Sequence, residues 1–134
     1  MNYFAQFPGF SIRRGEHMRN AFKRLARARG WQDGTRSTER THFHRQVVQE
    51  MNARFDTLEH LQDLCQKLFD QVPGTITQCK KLLCTKFINI WDIVEGKYEY
   101  FDSRKDFLNY TRKNRMFDRE AAKGLRLNVF LRQL

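Results

Sequence analysis

The feature that most constrains the fold is a spacing of apolar residues, three and four positions apart, that recurs along the chain. It runs through residues 18–28, residues 43–55 and residues 58–69, and on a helix this spacing places the apolar side chains on one side. Only two prolines and seven glycines interrupt the 134 residues, of which 40% are hydrophobic. The sequence therefore predicts an all-α fold, a compact single-domain bundle of five to six helices that spans residues 1–134.

Capping signals predict where the helices begin. The second helix is expected to begin at Ser37 or Thr38, after a break at DGTRSTER. INIWDIVEG is predicted to be a short buried helix closed by Gly96, with a strand as the alternative because Ile, Trp and Val also favour β structure. The last helix is expected to run to the end of the chain. The later helices have as their predicted capping residues Asp56 with Glu59, Thr75 with Gln78, Asn89, Ser103 and Asp118.

The first twelve residues are predicted to form an extended aromatic arm. This segment contains Tyr3, Phe4, Phe7 and Phe10, and we expect it to lie over the core, with a free hydrophobic anchor as the alternative. The helical spacing also predicts which side chains are buried. The predicted core residues are Phe22, Leu25, Phe43, Val47, Leu61, Leu64, Leu68, Leu83, Trp91 and Leu125.

The three cysteines are predicted to be free thiols. Cys65, Cys79 and Cys84 form an odd set without regular spacing, and all three lie in apolar runs, so we expect small buried side chains rather than a disulfide framework. Free thiols favour a reducing compartment. No segment has the length and apolar character of a membrane span. The sequence therefore predicts an intracellular protein that does not cross a membrane, with the nucleus as one candidate compartment.

A basic helix is the strongest functional signal. The net charge is +10 with a pI of about 10.0, and HMRNAFKRLARARGW, residues 17–31, has five Lys or Arg and no acid. Such a balance is typical of domains that bind nucleic-acid phosphates, although an ordinary solvated helix face is the simpler interpretation. The candidate nucleic-acid-binding residues are Arg13, Arg14, Arg19, Lys23, Arg24, Arg27, Arg36 and Arg40.

Two further partners stay open. The same cations could bind an acidic protein, or the aromatic arm could mediate self-association. The first and second helices could also form a helix-turn-helix, but no set of residues that would read bases is evident. Substituting Arg19, Lys23, Arg24 and Arg27 together by Gln is expected to leave folding intact, because they are predicted to lie opposite the apolar side.

Enzymatic and metal-binding classes are not favoured. His42 and His44, two positions apart on a helix, diverge by about 200° and cannot share one ion, so we expect a histidine at the solvent edge beside a core Phe43. Asp92 and Glu95 are one helical turn apart, as are many surface carboxylates. The chain has no phosphate-binding glycine loop and no nucleophile motif. We therefore predict no catalytic residue, no cofactor and no metal site.

A series of motifs along the chain carries a resemblance. In chain order the motifs are YFAQFPGF, FKRLARARGW, LQDLC, CKKLL, INIWDIVEG, FLNYT and FLRQL. Together they resemble a group of small single-domain proteins of filamentous fungi whose function is not established. The motifs span nearly the whole chain, so the resemblance implies one domain. Because they are mostly apolar, it implies kinship but no catalytic residue.

Overall fold

The computed structural model describes residues 3–114 and 116–127, and in this part of the chain the secondary structure is helical apart from one isolated antiparallel β-bridge between Phe87 and Phe101. The described residues form seven α-helices, whereas the sequence predicted five to six. Five of the helices have eight residues or more, and two are shorter. A 3-10 turn, Phe4–Gln6, comes first. The helices are α1 (Met18–Ala28), α2 (Asp33–Arg54), α3 (Leu58–Phe69), α4 (Ile76–Leu83), α5 (Ile90–Val94), α6 (Arg104–Asn114) and α7 (Arg119–Ala122).

After helix α1 the chain reverses at Gly30, so that Trp31 packs against the core. Gly30 adopts a positive φ of 62°, which glycine tolerates without steric cost, and the Trp31 amide donates to the Ala26 carbonyl at 3.1 Å. The buried residues of α1 are Ala21, Phe22, Leu25 and Ala26. The periodic pattern thus predicts this helix and the burial of Phe22 and Leu25.

Helix α2 begins five or six residues earlier than predicted, because its N-cap is Gln32 rather than Ser37 or Thr38. Gln32 is its N-cap and Asp33 is in its first turn, so DGTRSTER is helical and neither Ser37 nor Thr38 is a cap. An acid in the first turn stabilises a helix through its dipole, and Gly34 is so close to the end that its cost is small. The result is a helix of 22 residues, which carries residues 36 and 40 on the same side as residues 43, 44 and 47.

The remaining caps agree with the sequence in four places and differ in one. Thr57, not Asp56, caps α3, with its hydroxyl accepting from the His60 amide. The predicted capping residues that accept from a backbone amide are Thr75 from Gln78, Asn89 from Asp92, Ser103 from Asp106 and Asp118 from Ala121. Helix α7 has only four residues and ends at Ala122. The predicted helix from Asp118 to the end of the chain is therefore wrong for residues 123–127, and the rest of that prediction lies outside the described residues.

One hydrophobic core joins α1 to α5 and α7, and all ten predicted core residues are buried. Its centre is aromatic: the rings of Phe22 and Phe43 stack with centroids 5.0 Å apart, and Phe43 also stacks on Trp91. INIWDIVEG is a buried helix rather than a strand. No helix among the described residues is long and apolar enough to cross a membrane.

The N-terminal arm belongs to this core, but it is not extended. Tyr3 and Phe4 are buried, and the 3-10 turn folds them onto Phe43. The Tyr3 hydroxyl donates to Glu39 Oε2 at 2.8 Å, and burial, together with this carboxylate, raises the pKa of Tyr3. This arrangement removes the apolar area of Tyr3 and Phe4 from water, which stabilises the fold.

The cysteines are free, as predicted, but only two are buried. Cys65 and Cys79 are buried, whereas Cys84 is exposed, because α4 ends at Leu83 and Cys84 is its C-cap. Burial raises the pKa of Cys65 to about 12, assisted by Cys79. Its thiol is therefore a poor nucleophile in the folded protein.

Candidate functional site

A cavity of about 520 Å³ lies where α1, α2, α5 and the segment between α6 and α7 meet. Pockets that hold small ligands have volumes of about 300 to 1,000 Å³. Its lining divides into aromatic residues and cations, with Met116 and Asp118 at one side. The lining residues are Arg19, Phe22, Lys23, Arg36, Arg40, Phe43, His44, Trp91, Arg112, Met116, Phe117 and Asp118.

The floor of the cavity is built from the aromatic core. Trp91 lies between Phe43 and Phe117, with ring centroids at 5.9 and 5.1 Å, and its indole N–H donates to the Met116 carbonyl at 3.1 Å. Trp91 is 1% exposed, so its position is fixed from all sides. The floor is therefore a rigid apolar surface rather than a set of mobile rings.

His44 is a buried part of this floor, which corrects the predicted histidine at the solvent edge. Its ring stacks on Phe117 at 4.4 Å, and its Nδ1 accepts from the Asp118 amide at 2.8 Å. Burial, opposed by the Asp118 charge and assisted by the Arg40 charge, lowers the pKa of His44 to about 4. The neutral ring therefore carries its proton on Nε2, which leaves a neutral N–H donor in a residue that lines the cavity.

Four cations line the same cavity. Lys23 comes from α1, Arg36 and Arg40 come from α2, and Arg112 comes from the last turn of α6. None of the four makes an ion pair with an acid in residues 3–114 and 116–127. The Arg36 Nε is buried and makes no hydrogen bond within the same part of the chain. We call Lys23, Arg36, Arg40 and Arg112 the cavity cations.

The predicted basic face of α1 is divided by two ion pairs. The Arg19 guanidinium binds Glu95 with both Nε and Nη2, at 2.9 and 2.7 Å, and lies over the Trp91 ring at 5.5 Å. Its side chain is only 17% exposed. Arg19 therefore fixes α1 to the end of α5, although it also lines the cavity.

Arg24 has a similar structural role on the other side of α1. Its guanidinium donates to both carboxylate oxygens of Glu16 and to the Ser11 carbonyl, and it lies 4.3 Å from the centre of the Phe10 ring. Hydrogen bonds from Arg24 and from the Arg13 amide lower the pKa of Glu16 to about 2. Arg24 thus holds residues 10–16 against α1 and is not part of the cavity.

The structure brings together half of the predicted binding residues. Arg19, Lys23, Arg36 and Arg40 line the cavity, whereas Arg13, Arg14, Arg24 and Arg27 do not. The prediction of one basic face on α1 without acidic partners is therefore wrong. The acids that pair with Arg19 and Arg24 are Glu95 and Glu16, which lie outside residues 17–31. For the same reason, joint substitution of Arg19, Lys23, Arg24 and Arg27 by Gln would also remove ion pairs that join parts of the fold.

The carboxylates at and near the site are committed to the fold. The Asp118 carboxylate accepts from Thr41 Oγ1 at 2.5 Å and from the Ala121 amide at 3.0 Å. Burial raises the pKa of Asp118, but these hydrogen bonds outweigh it and lower the pKa. Asp92 is fully buried and accepts from the Tyr110 hydroxyl at 2.9 Å, so Asp92 and Glu95 are not the surface pair that the sequence suggested.

The sequence did not identify Arg112, His44 or Phe117 as parts of one site. The pair Arg112 and Lys113 in the last turn of α6 is a local signal for a basic helix end. Nothing local indicates that this end lies beside residues 36 and 40. Among the described residues, no group of three or more His, Cys, Asp or Glu could hold a metal ion.

Comparisons of the chain with family models, with curated proteins and with solved structures find no match. The resemblance to small fungal proteins stays a prediction. The cavity and its charges therefore carry the functional argument.

Proposed function

We propose that this protein is a non-enzymatic binding module that holds nucleic acid through its phosphates. The observation that carries the proposal is the set of cavity cations, four positive side chains around one opening without an acidic partner in the described chain. The wider chain adds a net charge of +10, which attracts any polyanion and speeds its association.

The arrangement of these cations favours phosphate as the partner. Arg36 and Arg40 are four residues apart on α2, a spacing at which like charges destabilise a helix by about 0.2 to 0.5 kcal/mol. Glu39 lies between them in sequence, but in the described chain it makes no ion pair with either arginine; its carboxylate accepts from Tyr3 and lies near His42. Phosphates relieve this repulsion, and three of the four cations are arginines, whose planar N–H groups bind phosphate oxygens in pairs.

The binding is expected to depend little on base sequence. Contacts to phosphates position a protein on nucleic acid without reading its bases, and the cavity cations are the groups that carry this proposal. The protein would work inside the cell, in a compartment that contains nucleic acid, with the nucleus as one candidate. Two buried free thiols are in keeping with such a reducing compartment.

Binding of an acidic protein is the alternative, because it would use the same cations. Self-association through the aromatic arm has less support. Tyr3 and Phe4 are buried in the chain's own core, and Phe7 and Phe10 pack against that core. Little of the arm's apolar area is therefore left for a second copy.

Direct titration of labelled nucleic acid tests the proposal. Single-stranded and duplex oligonucleotides would be titrated at about 150 mM salt with fluorescence anisotropy, where non-specific binding typically has dissociation constants of about 10⁻⁴ to 10⁻⁶ M. The test variant replaces all four cavity cations by Gln. A control variant replaces four exposed cations outside the cavity, Arg104, Arg126, Lys80 and Lys81, and changes the net charge equally.

The cavity variant should bind at least ten-fold more weakly than the control variant. Equal binding by the two variants would show that net charge alone attracts nucleic acid. If the parent protein does not bind at this salt concentration, nucleic acid is rejected as the partner. Binding of an acidic protein then remains as the alternative.

A further inference from the structure

We infer that the cavity accepts one unstacked nucleotide, so that the protein prefers single-stranded to duplex nucleic acid. This inference rests on the proposed function and specifies what the same site recognises. It combines the volume of the cavity, its aromatic floor and the position of its cations. Each of these limits the ligand in a different way.

The volume excludes a duplex but admits a single nucleotide. The cavity measures about 520 Å³, within the range of about 300 to 1,000 Å³ that small ligands occupy. A base in a duplex is paired and stacked, and it must leave the helix before it can enter a pocket, which costs free energy. An unpaired strand presents its bases without that cost.

The floor offers a base an apolar surface that does not distinguish one base from another. Phe22, Phe43, Trp91 and Phe117 line the cavity with the small exposed part of each residue, between 1% and 8%, and Met116, which is 66% exposed, adds its side chain to the lining. Every base has a π face, so aromatic contacts hold bases with little sequence preference. A rigid floor also lowers the entropy that binding costs, because no protein ring has to be ordered.

Polar groups are placed to hold the rest of the nucleotide. The cavity cations line the cavity together with the floor, where the phosphates on either side of an inserted base would lie. The Arg36 side chain lines the cavity, and its Nε is buried without a hydrogen-bond partner in the described chain. The planar guanidinium N–H groups of such an arginine donate to phosphate oxygens.

A pair of oligonucleotides with the same charge tests the inference. One is a labelled nine-residue single strand in which every position is abasic. The other is identical except for a single central 2-aminopurine, whose fluorescence reports its surroundings. The central base should tighten binding by about 5- to 10-fold, the low end of what stacking on aromatic residues contributes, and its fluorescence should change on binding. A duplex with the same number of phosphates should bind more weakly than the strand that carries the base.

A matched pair of variants locates the effect. Phe117→Leu alters the floor, whereas Phe55→Leu makes the same change in a residue of equal burial, 9% exposed against 8%. Phe55 lies eleven residues beyond His44 along α2, on the order of 16 Å away. Phe117→Leu should reduce the gain from the central base to under two-fold, and Phe55→Leu should keep it.

The outcomes separate the two proposals. If the parent protein binds both oligonucleotides equally, the inference is overturned, but phosphate binding stands. If it binds neither, the proposed function fails and the inference fails with it. If both Phe117→Leu and Phe55→Leu lose the tighter binding that the central base gives the parent protein, the base does not bind in the cavity. Should Phe117→Leu not fold, the comparison of the two oligonucleotides on the parent still decides.

Discussion

Replacing His44 by Asn should remove most of the pH dependence of stability between pH 7.5 and pH 4.5. In the unfolded chain this histidine has its ordinary pKa of 6.5, and in the fold burial lowers the pKa to about 4. As the pH falls below 6.5, the unfolded state takes up a proton that the folded state refuses, so the free energy of unfolding decreases. The slope is about 1.4 kcal/mol per pH unit, which gives a loss of about 2 to 3 kcal/mol at pH 4.5.

Urea unfolding followed by circular dichroism at the two pH values measures this loss. The Asn side chain keeps an oxygen near the position of Nδ1, so it can still accept from the Asp118 amide, but it cannot be protonated. The loss in His44→Asn should therefore be under about 1 kcal/mol. His42→Asn is the control, because the His42 side chain is 52% exposed, and it should behave as the parent does. A His44→Asn protein with the full loss of the parent would refute the account of His44 as a buried neutral ring.

Three further predictions concern the fold. Trp91→Ala should lower the free energy of unfolding by about 3 to 5 kcal/mol, since it empties the centre of the aromatic core; an unchanged melting temperature would contradict this. Thr75→Ala should cost about 1 kcal/mol through the lost cap of α4, while Thr77→Ala, an exposed control in the same helix, should cost much less in the same urea titration. A thiol titration should count one fast thiol in the native protein, Cys84, and three after denaturation; a count of one after denaturation would reveal a disulfide.

The core could be predicted because its signal is local. The helical period places Phe22, Leu25 and Phe43 on apolar sides whatever the rest of the chain does, and the structure buries all three. The helix boundaries followed the capping signals less closely. At the start of α2, the N-cap Gln32 makes no side-chain cap hydrogen bond, and the helix continues from Asp33 through Ser37 and Thr38.

The candidate site could be predicted only in part because its chemistry is long-range. Arg19 has its acidic partner 76 residues away, at Glu95, and no pattern within residues 17–31 reveals that pair. Arg36 and Arg112 likewise reach one cavity from helices that are distant in sequence. The sequence indicates that the chain is basic, but the fold decides which cations are structural and which surround the cavity.

The salt dependence of binding tests most directly that the cavity cations hold phosphates. On single-stranded nucleic acid, the logarithm of the binding constant should fall with the logarithm of the salt concentration by about 0.7 for each phosphate neutralised. Four cavity cations that neutralise one phosphate each therefore contribute a slope of about −2.8 to the parent protein. Replacing all four by Gln should flatten the slope by about that amount, whereas replacing Arg104, Arg126, Lys80 and Lys81 should leave it nearly unchanged. Equal slopes for the parent and the cavity variant would contradict the account.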